Sequence, residues 1–382
     1  MLSLIVLFLQ NRFLRLMIRP WFVLTLIMMI VGFCILGLII ILQKLAPPPT
    51  YKSFKSQNYV QTPSIPASDN IVVQPVSSKA LLKGAKWVPQ TFNNCGPATT
   101  SMILQYFGYT VGQDQTKAYL RTNPTDTNVF SSEIQEYLKS QYNIDSKLFY
   151  NGDYQKIKLL IANGFYVMVE DWLHPNEDIG HVTILRGYDD EQGVFIADDS
   201  YIGVNIVYKY DVFDKTQWKA FNREYVPIYR SEMEPILRKI IGDDWDKETM
   251  YKKSVEKAKR EIALNDNDMY AYFNLGTSYY ALGQFQNAHT AFEKSRALDW
   301  PRRMLWYQIQ PVQILNEIGK YDEALKLINQ VLNGNESFAE LHYEKARAYK
   351  NLGQTDKAKS EAKIALVHAP NFQKAKDFLS SL

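Results

Sequence analysis

The sequence predicts an α+β domain followed by an all-α solenoid of helical repeats, with one transmembrane helix near the amino terminus. Three observations lead to this prediction. A run of 22 uncharged residues begins at Trp21, and helical patterns precede strand patterns between residues 85 and 230. Further on, Gly283, Gly319 and Gly353 recur at spacings of 36 and 34 residues. A chain of 382 residues is long enough for two or three domains.

The composition excludes several classes of protein. With 46% hydrophobic and 22% charged residues, the chain is not disordered throughout. Its 43 basic and 40 acidic residues leave a net charge of +3, which is short of the concentrated positive charge of a nucleic-acid-binding protein. Only two cysteines occur, Cys34 and Cys95, and they cannot build a disulfide framework or a multi-cysteine metal site. No nucleic-acid partner, metal or other cofactor is therefore predicted.

The membrane segment is predicted at residues 21–43, after an amino-terminal tail of residues 1–20. At a rise of 1.5 Å per residue, the uncharged run WFVLTLIMMIVGFCILGLIIIL reaches about 33 Å, which is enough to cross a bilayer. A cleaved signal peptide is the alternative, but its apolar core is shorter and ends at small residues. Three arginines precede the run, which favours a cytoplasmic amino end and extracytoplasmic soluble domains for this single-pass protein.

Three further regions follow the membrane segment. Residues 44–84 contain six prolines among many polar residues and are predicted to form an extended linker. Residues 85–230 mix helical and strand patterns, and residues 245–382 show only helical ones. The first of these two regions is predicted to be the α+β domain, and the second the helical repeats.

Within the α+β domain, the patterns predict helices first and strands afterwards. One helix begins just after Cys95 and stops at Gly108, and a second spans residues 153–163 before Gly164. Strands are predicted at residues 165–170, 182–186, 193–197 and 204–210.

The helical region is predicted to form three repeats of two antiparallel helices. Small residues near each recurring glycine let paired helices approach, and aromatic residues fill the space between pairs. A leading helix from Tyr251 to Leu264 is predicted to cover one end of the stack, and residues 373–379 the other. The middle repeat is degenerate, because Pro311 stands in its first helix and is compatible with a kink there.

The stretch WVPQTFNNCGPATTSM, residues 87–102, places a lone cysteine at a predicted helix start. Unpaired N–H groups and the macrodipole at a helix start stabilise a thiolate, which makes Cys95 a candidate nucleophile. Gln90 is placed to donate its amide to the oxyanion that forms when the thiolate attacks a carbonyl, with the Cys95 N–H as second donor. Asn93 and Asn94 are predicted to be turn formers that cap the helix.

A nucleophile of this kind needs a base and a group that orients the base. His181 opens a predicted strand in GHVTILRGYDD, and the neighbouring strand ends in Asp198-Asp199. Because the start of one antiparallel strand lies beside the end of the next, His181 is expected to meet one of these carboxylates. The two side chains point to opposite faces of the strand, so only one of them can orient the ring, and both remain candidates.

These motifs resemble the C39-like peptidase family of papain-like cysteine proteases. The resemblance rests on NNCGPA with its upstream glutamine, on the GH-x5-GYDD strand and on the DSY turn, and it covers roughly residues 85–230. It implies a papain-like fold with Cys95 as nucleophile, His181 as general base, Asp199 as orienting group and Gln90 in the oxyanion hole. Ser200 departs from the family's usual proline, which keeps Asp198 as an alternative to Asp199.

The carboxy-terminal region resembles tetratricopeptide repeats, and the combination of the two regions is similar to membrane-anchored bacterial proteins. The resemblance implies a peptide or protein substrate for the first region and a protein partner for the repeats. The leading hypothesis is a membrane-anchored thiol hydrolase that cleaves a peptide or amide bond. The alternatives are a catalytically inactive peptide-binding scaffold, which would keep its function after Cys95→Ala, and an acyltransferase or transpeptidase, whose intermediate an added amine would intercept.

Overall fold

The computed structural model describes residues 72–121 and 129–382, together with six isolated helical positions between Leu24 and Gly32. By its internal contacts the chain divides into two units, residues 1–50 and 51–382, and the fold described below belongs to the second. The rest of the predicted membrane segment and most of the predicted linker lie outside the described residues. In the part of the chain that is described, no helix combines the length and the apolar character needed to cross a bilayer.

The amino-terminal part of the second unit is a mixed α+β domain. Its strands are β1 (Lys79–Leu81), β2 (Asp145–Ser146), β3 (Tyr166–Trp172), β4 (Gly180–Asp189), β5 (Val194–Asp199), β6 (Gly203–Lys209) and β7 (Tyr225–Tyr229). Its helices are α1 (Cys95–Tyr106), α2 (Gln113–Leu120), α3 (Ser131–Tyr142), α4 (Tyr154–Ala162), α5 (Tyr210–Thr216) and α6 (Glu234–Ile241), with 3-10 turns at Trp218–Phe221, Ser231–Met233 and Gly242–Trp245. The predicted class is therefore confirmed for this domain.

These strands form one antiparallel sheet in the order β2-β7-β3-β4-β5-β6, and β1 pairs with the far end of β4. The central strand β4 is buried along almost its whole length because α1 and α4 both pack on it. Its register places Asp171 opposite His181 and Thr183 opposite Asp199. The side chains of Asp171, His181, Thr183 and Asp199 thus lie on neighbouring strands in the middle of the sheet.

The domain begins earlier than the sequence suggests. The segment 72–84 was predicted as the end of the linker, but β1 pairs with residues 187–189 of β4. Upstream of β1, the Gln74 N–H donates to the Asn163 side chain at 2.8 Å, and the Asn163 amide donates back to the Gln74 carbonyl at 3.0 Å. Proline and serine content masked this strand, because a three-residue edge strand carries too little alternation to be recognised.

The carboxy-terminal part is all helical. Its helices are α7 (Lys247–Leu264), α8 (Met269–Ala281), α9 (Phe285–Ala297), α10 (Gln310–Glu317), α11 (Tyr321–Leu332), α12 (Ala339–Asn351), α13 (Thr355–His368) and α14 (Gln373–Ser380), with a 3-10 turn at Met304–Trp306. Gly283, Gly319 and Gly353 follow the ends of α8, α10 and α12 with φ of 70°, 78° and 74°. Glycine adopts this left-handed conformation without strain, so the recurring glycines end the first helix of each pair.

Pro311 does not kink the middle repeat. It lies in the first turn of α10, where its missing N–H costs no hydrogen bond. The helix is consequently shortened to eight residues, and the chain before it, residues 301–309, is irregular apart from one 3-10 turn. The shortened helix leaves this segment free to reach the α+β domain.

The repeats pack directly against the α+β domain. Trp172 at the end of β3 contacts Phe221 and Tyr307 edge to face, with ring centroids 4.7 and 5.8 Å apart, and all three rings belong to one apolar cluster. The Trp172 indole N–H also donates to the Tyr270 hydroxyl at 2.8 Å, and the Gln308 amide donates to the Ala220 carbonyl at 2.8 Å. This shared cluster fixes residues 301–309 beside the start of β4.

Candidate active site

Cys95 is the first residue of α1, and local hydrogen bonds fix the position of this helix start. Asn93 adopts a left-handed conformation with φ of 56°, which turns the chain into the helix. The Thr99 hydroxyl, one turn into α1, donates to the Val182 carbonyl of β4 at 3.1 Å. This bond ties the cysteine helix to the strand that His181 begins, and the Cys95 side chain remains partly exposed.

Asn94 occupies the N-cap position, but its side chain does not cap the helix as the sequence suggested. Its carbonyl oxygen instead accepts a hydrogen bond from Arg121 at 2.6 Å, and Arg121 also donates to the Asn93 carbonyl at 2.9 Å. A helix leaves its first N–H groups without intrahelical acceptors. Because the Asn94 side chain is occupied elsewhere, it accepts no hydrogen bond from the N–H groups at the start of α1.

His181 lies between Cys95 and Asp199. Its Nε2 is 2.9 Å from Asp199 Oδ2, and both side chains are buried. Cys95 and His181 line the same cleft, and the sulfur contributes to raising the pKa of the ring. Since Nε2 faces the carboxylate, Nδ1 is the ring nitrogen that is left for the sulfur. The structure therefore brings together the cysteine, the histidine and one of the two candidate aspartates.

Several donors converge on Asp199 and hold it in place. Its Oδ1 accepts from the N–H groups of Tyr201 and Ile202 at 2.6 and 2.8 Å, and its Oδ2 also accepts from the Tyr208 hydroxyl at 3.3 Å. Burial alone would raise the pKa of this carboxyl, but the His181 ring and these two N–H groups outweigh burial and lower it. Asp199 is thus an ionised carboxylate in a fixed orientation.

The charge on Asp199 controls the protonation of His181. Burial alone would lower the pKa of the imidazole, but Asp199 and then Cys95 raise it well above 6.5. The folded protein therefore keeps His181 protonated to a higher pH than the unfolded chain does. An imidazolium beside the sulfur favours the negative charge of a thiolate.

A stability measurement checks this protonation. Because the pKa of His181 is raised on folding, its stabilising contribution is fully present below about pH 6.5 and is lost as the pH rises through the folded pKa. We expect the difference in unfolding free energy between the wild type and His181→Gln to be largest near pH 6 and to shrink at higher pH. Urea denaturation of both proteins from pH 5.5 to 9.5 measures it, and a difference that stays constant or grows with pH would be inconsistent with a raised pKa.

Asp198 has a different role. Its Oδ2 accepts from the Arg186 guanidinium at 2.8 Å and from the Tyr106 hydroxyl at 2.8 Å, and its Oδ1 accepts from the Asn205 N–H at 3.0 Å. It points away from His181, as strand alternation requires. The structure thus places Asp199 against His181 and assigns Asp198 to a buried ion pair in the core.

Gln90 is held by Ser200, the residue that replaces the usual proline of the C39-like pattern. The Gln90 N–H donates to the Ser200 carbonyl at 2.9 Å, and the Ser200 hydroxyl donates to Gln90 Oε1 at 2.8 Å. Because the carboxamide oxygen is engaged by the hydroxyl, Nε2 is the end of the amide that is left to donate to a ligand. Ser200 thus fixes which way the Gln90 amide points.

Removing this hydroxyl tests its effect on the amide. We expect Ser200→Ala to reduce kcat roughly three- to thirtyfold with little change in KM, because a mobile Gln90 stabilises an oxyanion less well while substrate binding is retained. Kinetics with any peptide that the wild type cleaves measure both constants. Ser140→Ala, at an exposed position, is the control, and an unchanged kcat in Ser200→Ala would show that Gln90 needs no orientation by this hydroxyl.

The repeats complete the cleft beside the cysteine. The cleft has a volume of about 40 Å³ and is lined by Cys95, Val129, Phe130, Glu170, Gly180, His181, Val182, Trp306 and Tyr307. Trp306 and Tyr307 come from the segment that precedes α10. A side-chain carbon at position 180 would lie 2.5 Å from the Tyr307 ring, so glycine before His181 is what lets the repeats approach this closely. The cleft wall is therefore built from both parts of the chain.

Three buried or partly buried residues near the site were missed by the sequence reasoning. Thr183 bridges two carboxylates, because its hydroxyl lies 3.2 Å from Asp171 Oδ1 and 3.4 Å from Asp199 Oδ2. Burial raises the pKa of Asp171 well above its usual range. Glu170, its neighbour in β3, lines the cleft. Two consecutive acids in the otherwise apolar strand YVMVEDW are the signal that could have revealed Glu170 and Asp171.

In the described part of the chain, no group of three or more His, Cys, Asp or Glu side chains is arranged to hold a metal ion.

The matches to known protein families divide the chain into the same two parts, the α+β domain and the helical repeats. Residues 79–226 match the sequence model of the Peptidase_C39 like family, and residues 269–299 and 339–363 match models of the tetratricopeptide repeat. The chain carries a C39-like peptidase domain followed by tetratricopeptide repeats. The degenerate middle repeat around Gly319 lies between the two matched repeats. A search of the curated proteins finds none that matches the chain.

Similar solved structures include the crystal structure of MamA, which is 19% identical with a TM-score of 0.33 and covers 37% of this chain and 81% of that one. MamA 41-end from Desulfovibrio magneticus RS-1 is 20% identical with a TM-score of 0.33, covering 38% and 81%. The APC/C hetero-tetramer Cut9-Hcn1 is 20% identical with a TM-score of 0.33, covering 37% and 28%. These values are too low to carry an argument about what the tetratricopeptide repeats bind.

Proposed function

We propose that the C39-like domain is a cysteine hydrolase that cleaves a peptide or amide bond. The Cys95 thiolate attacks the carbonyl carbon, and the His181 imidazolium gives its proton to the leaving amine, which leaves an acyl group on the sulfur. Water then attacks the acyl carbon while His181 takes up a proton. The carboxylic acid departs, and the thiolate and the imidazolium are restored.

One observation carries the proposal, namely the position of His181 between a cysteine at a helix start and a fixed carboxylate. The carboxylate holds Nε2, so Nδ1 is directed to the sulfur, and the buried ring cannot exchange these roles by turning. A histidine with a purely structural role needs no cysteine beside it, and a purely structural cysteine need not line a cleft. Here Cys95 lies beside His181 and lines a cleft, and the family model matches this part of the chain.

The oxyanion is proposed to form beside Gln90 Nε2 and the N–H groups at the start of α1. Donors that are fixed before the reaction stabilise developing charge most effectively. The Gln90 amide is fixed by Ser200, and the helix start is fixed by the Thr99 bond to β4. Both donors are therefore held by bonds outside the reacting groups.

The tetratricopeptide repeats are proposed to bind a protein partner or substrate, as well as forming the cleft wall. The uncharged run from Trp21 to Leu42 is proposed to anchor the protein in a membrane, with the soluble domains outside the cytoplasm. Retention of the full chain in the membrane fraction after an alkaline wash tests the anchor. Release into the supernatant would contradict it.

Hydrolysis by the full-length protein in detergent micelles tests the proposed activity. The wild type and Cys95→Ala are incubated with a mixture of several hundred defined peptides, and new termini are identified by mass spectrometry. We expect cleavage products with the wild type that are absent with Cys95→Ala. Hydroxylamine should release the acyl group from an acyl-enzyme intermediate on Cys95. Transfer of the acyl group to an added amine without hydrolysis would instead indicate an acyltransferase.

If the two proteins give the same products, Cys95 is not the nucleophile. If neither cleaves and Cys95→Ala retains the cellular function of the wild type, the domain is a peptide-binding scaffold.

A further inference from the structure

Glu170 is the feature of the cleft that the proposed mechanism does not use. It lies on β3 opposite Val182, the residue that follows His181, and it lines the same small cleft as Cys95. Its side chain is partly exposed, whereas the neighbouring Asp171 is fully buried. A carboxylate at this position faces whatever group a substrate places next to the reacting sulfur.

No lysine or arginine among the described residues neutralises Glu170, and the cation that shares its cleft is the His181 imidazolium. Its electrostatic neighbours are Glu224, Cys95 and Asp171, and none of the ion pairs between described residues includes it. Arg303, which reaches the cleft wall, is bound to Asp178 at 2.5 Å. A partly buried carboxylate without a basic side chain paired to it is unfavourable, and a cationic ligand would reduce this penalty.

A second carboxylate lies behind the first. Glu224 is buried and accepts a hydrogen bond from the Ser131 hydroxyl at 2.6 Å. Burial raises its pKa to about 7, and burial together with Glu224 and Cys95 raises the pKa of Glu170 well above its usual range. The raised pKa values mean that the empty cleft favours the neutral acids, and a positive charge placed there would favour the ionised form of both groups.

The aromatic walls of the cleft suit a cation as well. Phe130, Trp306 and Tyr307 line it, and the faces of aromatic rings attract ammonium and guanidinium groups. The Trp306 ring shows this property within the protein, because the Arg303 guanidinium carbon lies 5.4 Å from its centroid. Acidic and aromatic walls therefore occur together in the cleft that Cys95 lines.

We propose that this cleft is a subsite for a cationic group of the substrate, an ammonium or guanidinium, and that Glu170 is its specificity-determining residue. The proposal rests on the proposed function, because it takes Cys95 as the reacting atom. It narrows the substrate class to peptides or amides with a positive charge close to the bond that is cleaved.

Two small thiol reagents of nearly equal size test the proposal without knowledge of the substrate. 2-Aminoethyl methanethiosulfonate carries an ammonium group where 2-hydroxyethyl methanethiosulfonate carries a neutral hydroxyl, and both leave a mixed disulfide on the sulfur and release methanesulfinate. The rates are measured at pH 7.5 on the full chain by mass spectrometry of the peptide that contains Cys95. The ratio of the two rates is divided by the same ratio for N-acetylcysteine amide.

We expect the cationic reagent to be favoured at least tenfold by the wild type, and this preference to fall at least fivefold in Glu170→Gln. Glu170→Asp keeps the charge and should keep most of the preference. Glu177→Gln is the matched control, because it removes the same charge from an exposed glutamate outside the cleft and should leave the ratio unchanged.

The outcomes separate the two proposals. An equal ratio in the wild type and Glu170→Gln, with rapid reaction of the neutral reagent in both, overturns the cationic subsite and leaves Cys95 as the nucleophile. Slow reaction of both reagents with the wild type, no faster than with the unfolded protein, overturns the nucleophile and the subsite together.

Discussion

Replacing His181 with alanine is expected to reduce hydrolysis roughly 10³- to 10⁵-fold, the largest loss of activity of any substitution outside Cys95 itself. In the described structure the ring lies beside the cysteine and is held by a fixed carboxylate, the position from which it can take up and return the proton. Because the imidazole acts in both halves of the reaction, kcat should fall while KM changes little. Initial rates with a cleaved peptide, measured at several enzyme concentrations, give both constants.

The control for this substitution is His368→Ala. His368 lies in the repeats at the end of α13, and its pKa is lowered, first by burial and then by His342, rather than raised. We expect its activity to stay within about twofold of the wild type, since substitutions away from a site have small effects. A fall of less than tenfold for His181→Ala would mean that another group serves as the base.

Replacing Arg186 with methionine is expected to lower the free energy of unfolding by about 3–5 kcal/mol, the largest expected effect on stability. The guanidinium is buried with Asp198 and also donates to the Leu82 carbonyl at 2.7 Å. Removing it leaves a buried carboxylate without a counter-charge and an unsatisfied carbonyl. Urea denaturation followed by far-ultraviolet circular dichroism measures the loss.

A double replacement separates the ion pair from the volume of the side chain. If unpaired charge causes the loss, Arg186→Met with Asp198→Asn should recover part of it, because the remaining amide is neutral. Additive losses in the double variant would instead assign the effect to packing. Asp198→Asn alone should lower the free energy of unfolding strongly and change the kcat of the folded protein little. Asp199→Asn should lower the kcat strongly and change the free energy of unfolding little.

The contrast between these two aspartates shows where sequence reasoning reached its limit. The alternation of strand residues established that Asp198 and Asp199 face opposite sides, but only the register says which side His181 is on. That register places Thr183 opposite Asp199, and it is shifted by an irregularity at Leu185/Gly187 that no local pattern encodes. Cys95, His181 and Gln90 were accessible from sequence because each lies in a local motif with its own physical reason.

The cleft wall could not be predicted from the sequence for a different reason. Trp306 and Tyr307 lie more than a hundred residues beyond His181, and they reach the site because α10 is short and Gly180 leaves room. Neither condition has meaning until the two parts of the chain are packed together. The sequence signal at Glu170 and Asp171, two acids in an apolar strand, does not say which of them lines the cleft, and that depends on the packed structure.

The rate at which iodoacetamide alkylates Cys95 at pH 6.5 tests the central claim most directly, because it reports on the sulfur and the imidazole alone. It requires no substrate, and the Cys95 peptide can be quantified separately from that of Cys34. We predict that the wild type reacts at least tenfold faster than His181→Ala and that Asp199→Asn lies between them. Equal rates in all three proteins would show that the histidine does not activate the sulfur.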